Sequence, residues 1–214
     1  MSRSIPIHVG ALSIDESKLS DAIENLWRAL PRVAGVDPLS NPWIKEMGLD
    51  EWLARYFNHA MPNGNTAMHV LAKRPPACSA ESLAGLIRTM AFLGCSIDGR
   101  NIGGRTALHS ACYCNLGYVA EGLLLAGASP SVLDSGGDSP LDDAASSGCM
   151  EACVALLAAG ADPSGSSGRE APWNRAQTRG HGGVASFLLQ AVERGALMEL
   201  SHASSGASRG RLRI

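Results

Sequence analysis

Cys112-x-Cys114 follows His109 closely, and thiols beside an imidazole are either zinc ligands or the parts of a nucleophile–base pair. Two thiols one residue apart, with no second pair at matching spacing, make a poor zinc set, and small buried side chains account for them as well. Four acids, Asp134, Asp138, Asp142 and Asp143, crowd one short stretch, but their spacing is not that of an EF-hand calcium loop. Gly180-His181-Gly182-Gly183 has the composition of a loop whose backbone N–H groups hold an oxyanion. The remaining imidazoles, His8, His59, His69 and His202, are scattered. Neither Gly-x-x-x-x-Gly-Lys-Ser/Thr, His-Glu-x-x-His nor Gly-x-Ser-x-Gly occurs. The reading is of a protein that is not an enzyme and has no cofactor or metal, although composition alone leaves a Cys/His pair open.

The elements that would position these groups are written in the composition. The chain of 214 residues is 45% hydrophobic and 18% charged, enough apolar material for a continuous core. Aromatic residues make up only 5%, which disfavours a β-sandwich and suits short, closely packed helices. A net charge of −2 gives no global argument for nucleic acid. No run is long and apolar enough to span a bilayer, and the first ten residues lack a secretory pattern, so a cytoplasmic protein is expected. Export through a signal of another kind stays open. The cysteines, Cys78, Cys95, Cys112, Cys114, Cys149 and Cys153, match no disulfide framework and read as reduced thiols packed inside the fold.

A repeat organises the middle of the chain. Gly104-Arg-Thr-Ala-Leu-His-Ser-Ala, Gly137-Asp-Ser-Pro-Leu-Asp-Asp-Ala and Arg169-Glu-Ala-Pro-Trp-Asn-Arg-Ala align, and the first two segments run on to Gly127 and Gly160 at equal distance. Thr106 to Ser139 is 33 residues and Ser139 to Ala171 is 32. An earlier copy opens at Gly64-Asn-Thr66-Ala-Met-His69 and reaches Gly94 about seven residues late, with Lys73 to Cys78 as the place of the insertion. On these residues the sequence resembles the ankyrin-repeat family. The roles follow physically. Thr66, Thr106 and Ser139 can N-cap a helix, and Pro140 and Pro172 suit its first position. Gly148, Gly180 and Asn115 can end it in a left-handed conformation. Leu108, Leu141 and Trp173 point into the stack, and Leu123, Leu124, Leu156, Leu157, Leu188 and Leu189 fill the second helices. The Gly180-His181 stretch is then the start of a second helix rather than an oxyanion loop.

The fold expected is all-α: an ankyrin-repeat solenoid of helix-turn-helix repeats with β-turn fingers and a helical N-terminal cap. Its parts are a capping region at 1–62, repeats at about 63–100, 101–134, 135–166 and 167–191, a C-terminal cap to 202, and a flexible basic tail at 203–214 carrying Arg209, Arg211 and Arg213. In the first part, Asp15 to Leu30 and Leu49 to Ala60 read as amphipathic helices. Trp27, Trp43 and Trp52 are either core of that cap or anchors for a partner.

The resemblance implies protein binding on the concave face formed by the fingers and first helices. The finger positions for this are Asn101, Ile102, Arg105, Ser135, Asp138, Arg169 and Glu170. The helix positions are Lys73, Tyr113, Asp143, Ser146, Arg175 and Thr178, with Tyr113 foremost because it is large, rigid and amphipathic. His69 and His109 are expected to bond across the finger base, and Asp142, in place of a third histidine, to weaken that network. Asp134, Asp138, Asp142 and Asp143 would make an acidic patch for a basic surface of the partner, or simply a solvated face. The partner expected is another protein, with neither membrane nor nucleic acid, and the chain a monomer or a heterodimer with that partner. The function expected is a small intracellular binder that sequesters or inhibits its partner, as an immunity protein or adaptor does. A secreted effector gripping a host protein, and an enzyme built on residues 1–62, are the alternatives.

Overall fold

A computed structural model describes residues 20–21, 23–24, 61–92, 94–165 and 169–208, with side chains to residue 196. Most of the N-terminal region read above as a helical cap, including Trp27, Trp43 and Trp52, lies outside the described residues, as do Arg209, Arg211 and Arg213. Ser20, Asp21, Ile23 and Glu24 are helical, and Ile23 is buried in the core.

Eight helices follow among the described residues from 61 on: α1 Ala67–Lys73, α2 Ala80–Phe92, α3 Ala107–Tyr113, α4 Gly117–Leu125, α5 Pro140–Ser147, α6 Met150–Ala158, α7 Pro172–Thr178 and α8 Gly182–Ser208. They stack in two layers. Each odd-numbered helix packs on the next odd-numbered one, each even-numbered helix on the next even-numbered one, and the layers meet within each of the last three repeats. The result is an all-α solenoid whose core is shared between neighbours, so that no repeat is buried alone.

Local rules produce these elements. Thr106 Oγ1 accepts from the His109 N–H, and Ser139 Oγ from the Asp142 N–H, each closing a capping box. Pro140 and Pro172 stand at helix starts, where no N–H is required. Asn115, at φ 57°, and Gly148, at φ 73°, take the left-handed conformation that turns the chain between a repeat's helices. Alanines 67, 72, 107, 111, 144, 145 and 176 have no exposed surface, and this lets the odd-numbered helices approach closely. Met68, Leu71, Leu83, Leu86, Ile87, Leu108, Leu123, Leu141 and Leu156 fill the space between layers. The leucine pairs split as a helix demands: Leu123, Leu156 and Leu188 are buried, while Leu189 faces solvent.

Two details depart from expectation. The insertion in the earliest repeat is shared between a longer connection, residues 74–79, and a longer helix, α2 at 13 residues against 9 for α4. Ser79 makes the longer helix start cleanly, its Oγ accepting from the Ser82 N–H at 3.3 Å. Helix α8 runs past residue 202 to Ser208, into the segment expected to be a tail. No proline interrupts it, and a lone glycine such as Gly195 weakens a helix by only about 1 kcal/mol.

Candidate functional site

The fingers are tight turns closed by backbone bonds: Met61 N–H to Asn65 O at 3.0 Å, Asn101 N–H to Arg105 O at 3.0 Å, Asp134 N–H to Asp138 O at 2.9 Å. Consecutive fingers are stitched by Ile102 N–H to Asn63 O at 3.4 Å and Ser135 N–H to Gly103 O at 2.9 Å. Gly64 and Gly104 need to be glycine, because each has a positive φ and an added Cβ would lie 2.6–2.7 Å from the next finger's backbone nitrogen.

Below each finger the histidines do what the sequence suggested. His69 Nδ1 accepts from the Thr66 N–H and His109 Nδ1 from the Thr106 N–H. Since a backbone N–H can only donate, the proton sits on Nε2, which donates to Arg105 O at 2.8 Å in one case and Asp138 O at 3.1 Å in the other. Burial holds both imidazoles below their ordinary pKa, the carbonyl bonds opposing it. The expectation for Asp142 needs correction. Its Oδ2 accepts from Ser139 N–H at 2.8 Å and Ser139 Oγ–H at 2.7 Å, so the capping half of the network is intact. Only the bond to the next finger is replaced, by Oδ1 facing Arg175 Nε at 3.8 Å.

The acidic patch is likewise not bare. Asp143 is ion-paired with Arg105, and Asp138 takes Arg169 at 2.9 Å and Arg175 at 3.0 Å. Burial pushes Asp143 up to about 6 in spite of the Arg105 bond, which pulls the other way. Burial would also raise Asp138, but the Arg175 hydrogen bond and the Arg175 and Arg169 charges outweigh it and hold that carboxyl below its usual range. A partner's basic surface would have to displace arginines already in place.

These pairs share one geometry. The residue before a helix cap meets the fourth residue after the cap in the next repeat. Arg105 reaches Asp143 across 38 positions, and Asp138 reaches Arg175 across 37 with the charges exchanged. One repeat earlier the same two positions hold Asn65 and Ser110, and there a cleft of about 350 Å³ opens. Asn63, Asn65, Asn101 and Arg105 line it from the fingers, and Lys73, Ser110, Tyr113 and Cys114 from α1, α3 and the end of α3. Tyr113 is 59% exposed, and the Arg105 guanidinium lies 4.9 Å from its ring centroid, a cation–π contact.

Of the residues singled out from sequence, the structure brings Lys73, Asn101, Arg105 and Tyr113 together at this cleft. Asp138, Asp143, Arg169 and Arg175 belong to the ion-pair network, and Asp143 is buried. Ile102, Ser135 and Glu170 are exposed on or beside the fingers; Ser146 is half-buried, and Thr178 turns its hydroxyl onto its own helix, at Arg175 O. Asn63, Asn65, Ser110 and Cys114 were missed. Asn65 stands in the register of Arg105, Asp138 and Glu170, and that register was the available signal. Cys114 is exposed, against the expectation that the thiols pack inside; Cys95, Cys112, Cys149 and Cys153 do so, and burial pushes Cys95 and Cys153 up to about 12. Among the described residues no group of three or more His, Cys, Asp or Glu could hold a metal ion, and no helix is long and apolar enough to cross a membrane.

Residues 103–135 match the family model of the ankyrin repeat. No curated protein matches the chain. The helical stack, the finger bonds and this match together define the described part of the chain as an ankyrin-repeat solenoid. Such repeats are scaffolds for binding other proteins.

Proposed function

We propose that this protein acts without catalysis, as a compact binder that takes hold of one partner protein on its finger side and keeps it from acting. The observation that carries the reading is Tyr113: a large aromatic side chain, more than half exposed, in contact with Arg105 at the mouth of a cleft. Aromatic residues held rigidly beside a pocket are favoured interface anchors, since little side-chain entropy is lost when they are covered. The interlocked fingers and cross-repeat ion pairs support the same reading, because a surface fixed in advance loses less freedom on binding.

The test is affinity purification of the full chain from its native cell, comparing wild type with Tyr113→Ala. A single stoichiometric protein that co-purifies with wild type and falls away in the variant is the expected result. Equal recovery with both forms would move the interface off this cleft. Inhibition is then checked by measuring the captured protein's own activity with and without the binder.

A further inference from the structure

The geometry points to a proline-rich, extended segment of the partner as what the cleft between the first two described fingers receives, its main-chain carbonyls bonded to Asn63 and Asn65 and a proline ring laid on Tyr113. This rests on the protein-binding reading above and names the chemistry of the partner.

Hydrogen-bond accounting sets the polarity of the ligand. Asn63 Oδ1 accepts from the Asn65 N–H at 3.0 Å, and Asn101 Oδ1 accepts from the Arg105 N–H at 3.0 Å. Both backbone groups can only donate, which fixes the orientation of these two amides. Asn101 Nδ2 is then the donor to Asn65 Oδ1, at 3.1 Å. All three amide oxygens are engaged inside the protein, whereas the amino groups of Asn63 and Asn65 make no hydrogen bond among the described residues. Asn65 is 4% exposed and lines the cleft, so its amino group has little access to water and gains most from an acceptor brought by a ligand. Nothing in the lining selects for charge: Arg105 is ion-paired with Asp143, and Lys73 already has an interaction of its own. The neutral acceptor that a protein offers at every residue is the peptide carbonyl. Proline offers it without an N–H, and the amide oxygens of the cleft, already engaged, are poor mates for an N–H. Tyr113 adds an apolar platform. Arg105 lies over one face of its ring, and the side chain is still 59% exposed, which leaves room for a second ring against it. A polyproline II segment carries such rings on a backbone that is extended beforehand, so little conformational entropy is lost on docking. The rest of the finger side lacks both features. The equivalents of Tyr113 there are Ser146 and Thr178, and the diagonal positions are closed by Arg105–Asp143 and Asp138–Arg175.

The experiment is fluorescence anisotropy with the full chain and a short fluorescein-labelled oligoproline peptide. A Gly-Ser peptide of equal length is the neutral comparison, and Gly-Ser peptides with Glu or Lys at every second position are the charged ones. Binding of oligoproline about tenfold tighter than the Gly-Ser peptide is expected, with less than about twofold change on adding salt, since no ion pair is formed. Tyr113→Ala, which removes the platform, should weaken oligoproline by about tenfold. Asn63→Asp keeps the acceptor for the Asn65 N–H but turns a donor of the lining into a carboxylate, and should weaken it by a similar factor, about tenfold. Both side chains are exposed, and circular dichroism checks that the variants stay folded. Gln190→Glu, which adds the same charge on an exposed position of α8 in the other helical layer, should change binding less than about twofold. Equal affinity for oligoproline and the Gly-Ser peptide, tighter binding of either charged peptide, or equal effects of Asn63→Asp and Gln190→Glu overturns the inference. A native partner released by Tyr113→Ala but not displaced by excess oligoproline overturns the proline preference alone and leaves protein binding standing.

Discussion

Asp143 is buried beside Arg105, and its surroundings prefer the neutral acid even though the arginine favours the charge. Its folded pKa of about 6 lies above the ordinary 3.8, so the folded protein takes up this proton before the unfolded chain does. Asp143 therefore adds stability as pH falls below about 6, fully so below 3.8, and that contribution is lost as pH rises through 6. His69 and His109 act in the opposite sense. Their folded pKa values lie below 6.5, so the unfolded chain binds protons first, and stability present above 6.5 is lost as pH falls toward the folded values. Protonation would also set Nδ1–H against a threonine N–H, donor against donor. In wild type the two effects act in opposite directions as pH falls below about 6. Asp143→Asn removes one of them, and its stability should fall more steeply with acidification than that of wild type. Urea midpoints across that range measure this; parallel curves for the two proteins would show that Asp143 does not titrate there.

At the scale of the element, the turn after α5 is closed to any side chain. Gly148 sits at φ 73°, and an added Cβ would lie 2.4 Å from Nδ1 of His181, which immediately precedes α8 one repeat on. Gly160 has φ 89° but open space around its Cα. Gly160→Ala should therefore cost about 1 kcal/mol, the left-handed penalty alone. Gly148→Ala should cost roughly 2–3 kcal/mol, because the ring must also move. Adding His181→Ala to Gly148→Ala should recover part of the loss, and denaturant melts of the single and double variants test the coupling. Caps, left-handed turns and buried leucines such as Leu108 and Leu141 were legible in the sequence because each follows from residues within one helical turn or from the repeat period. The partners of the acids were not. Asp143 and Arg105 are 38 positions apart, and only the stacked structure reveals that the residue before one cap faces the fourth residue after the next. The cleft was half legible for the same reason: Tyr113 stands out by type, whereas Asn65 matters only through what stands across from it in α3.

For the whole molecule, the core is one continuous body from Ile23 and Met61 to Leu188, and each layer of it is completed by its neighbours. Ile23 is 2% exposed, so the chain before residue 61 contributes to that body. Removing residues 1–60 should uncover the first described repeat and give a chain that aggregates or melts without a sharp transition. A monodisperse 61–214 fragment with a cooperative melt close to wild type would show the opposite. Stacks of this kind are commonly thought of as interchangeable bricks, but the alternation of charge along the finger side makes this one directional. If the repeat from Ser139 to Glu170 were excised and the ends joined in register, Arg175 would take the place of Asp143, and two guanidiniums, those of Arg105 and Arg175, would face each other where an ion pair now stands. Duplicating that repeat would set Asp138 against a second Asp143. The order of its repeats is thus written in electrostatics, and the chain can gain or lose a unit during its evolution only by changing both members of a pair together.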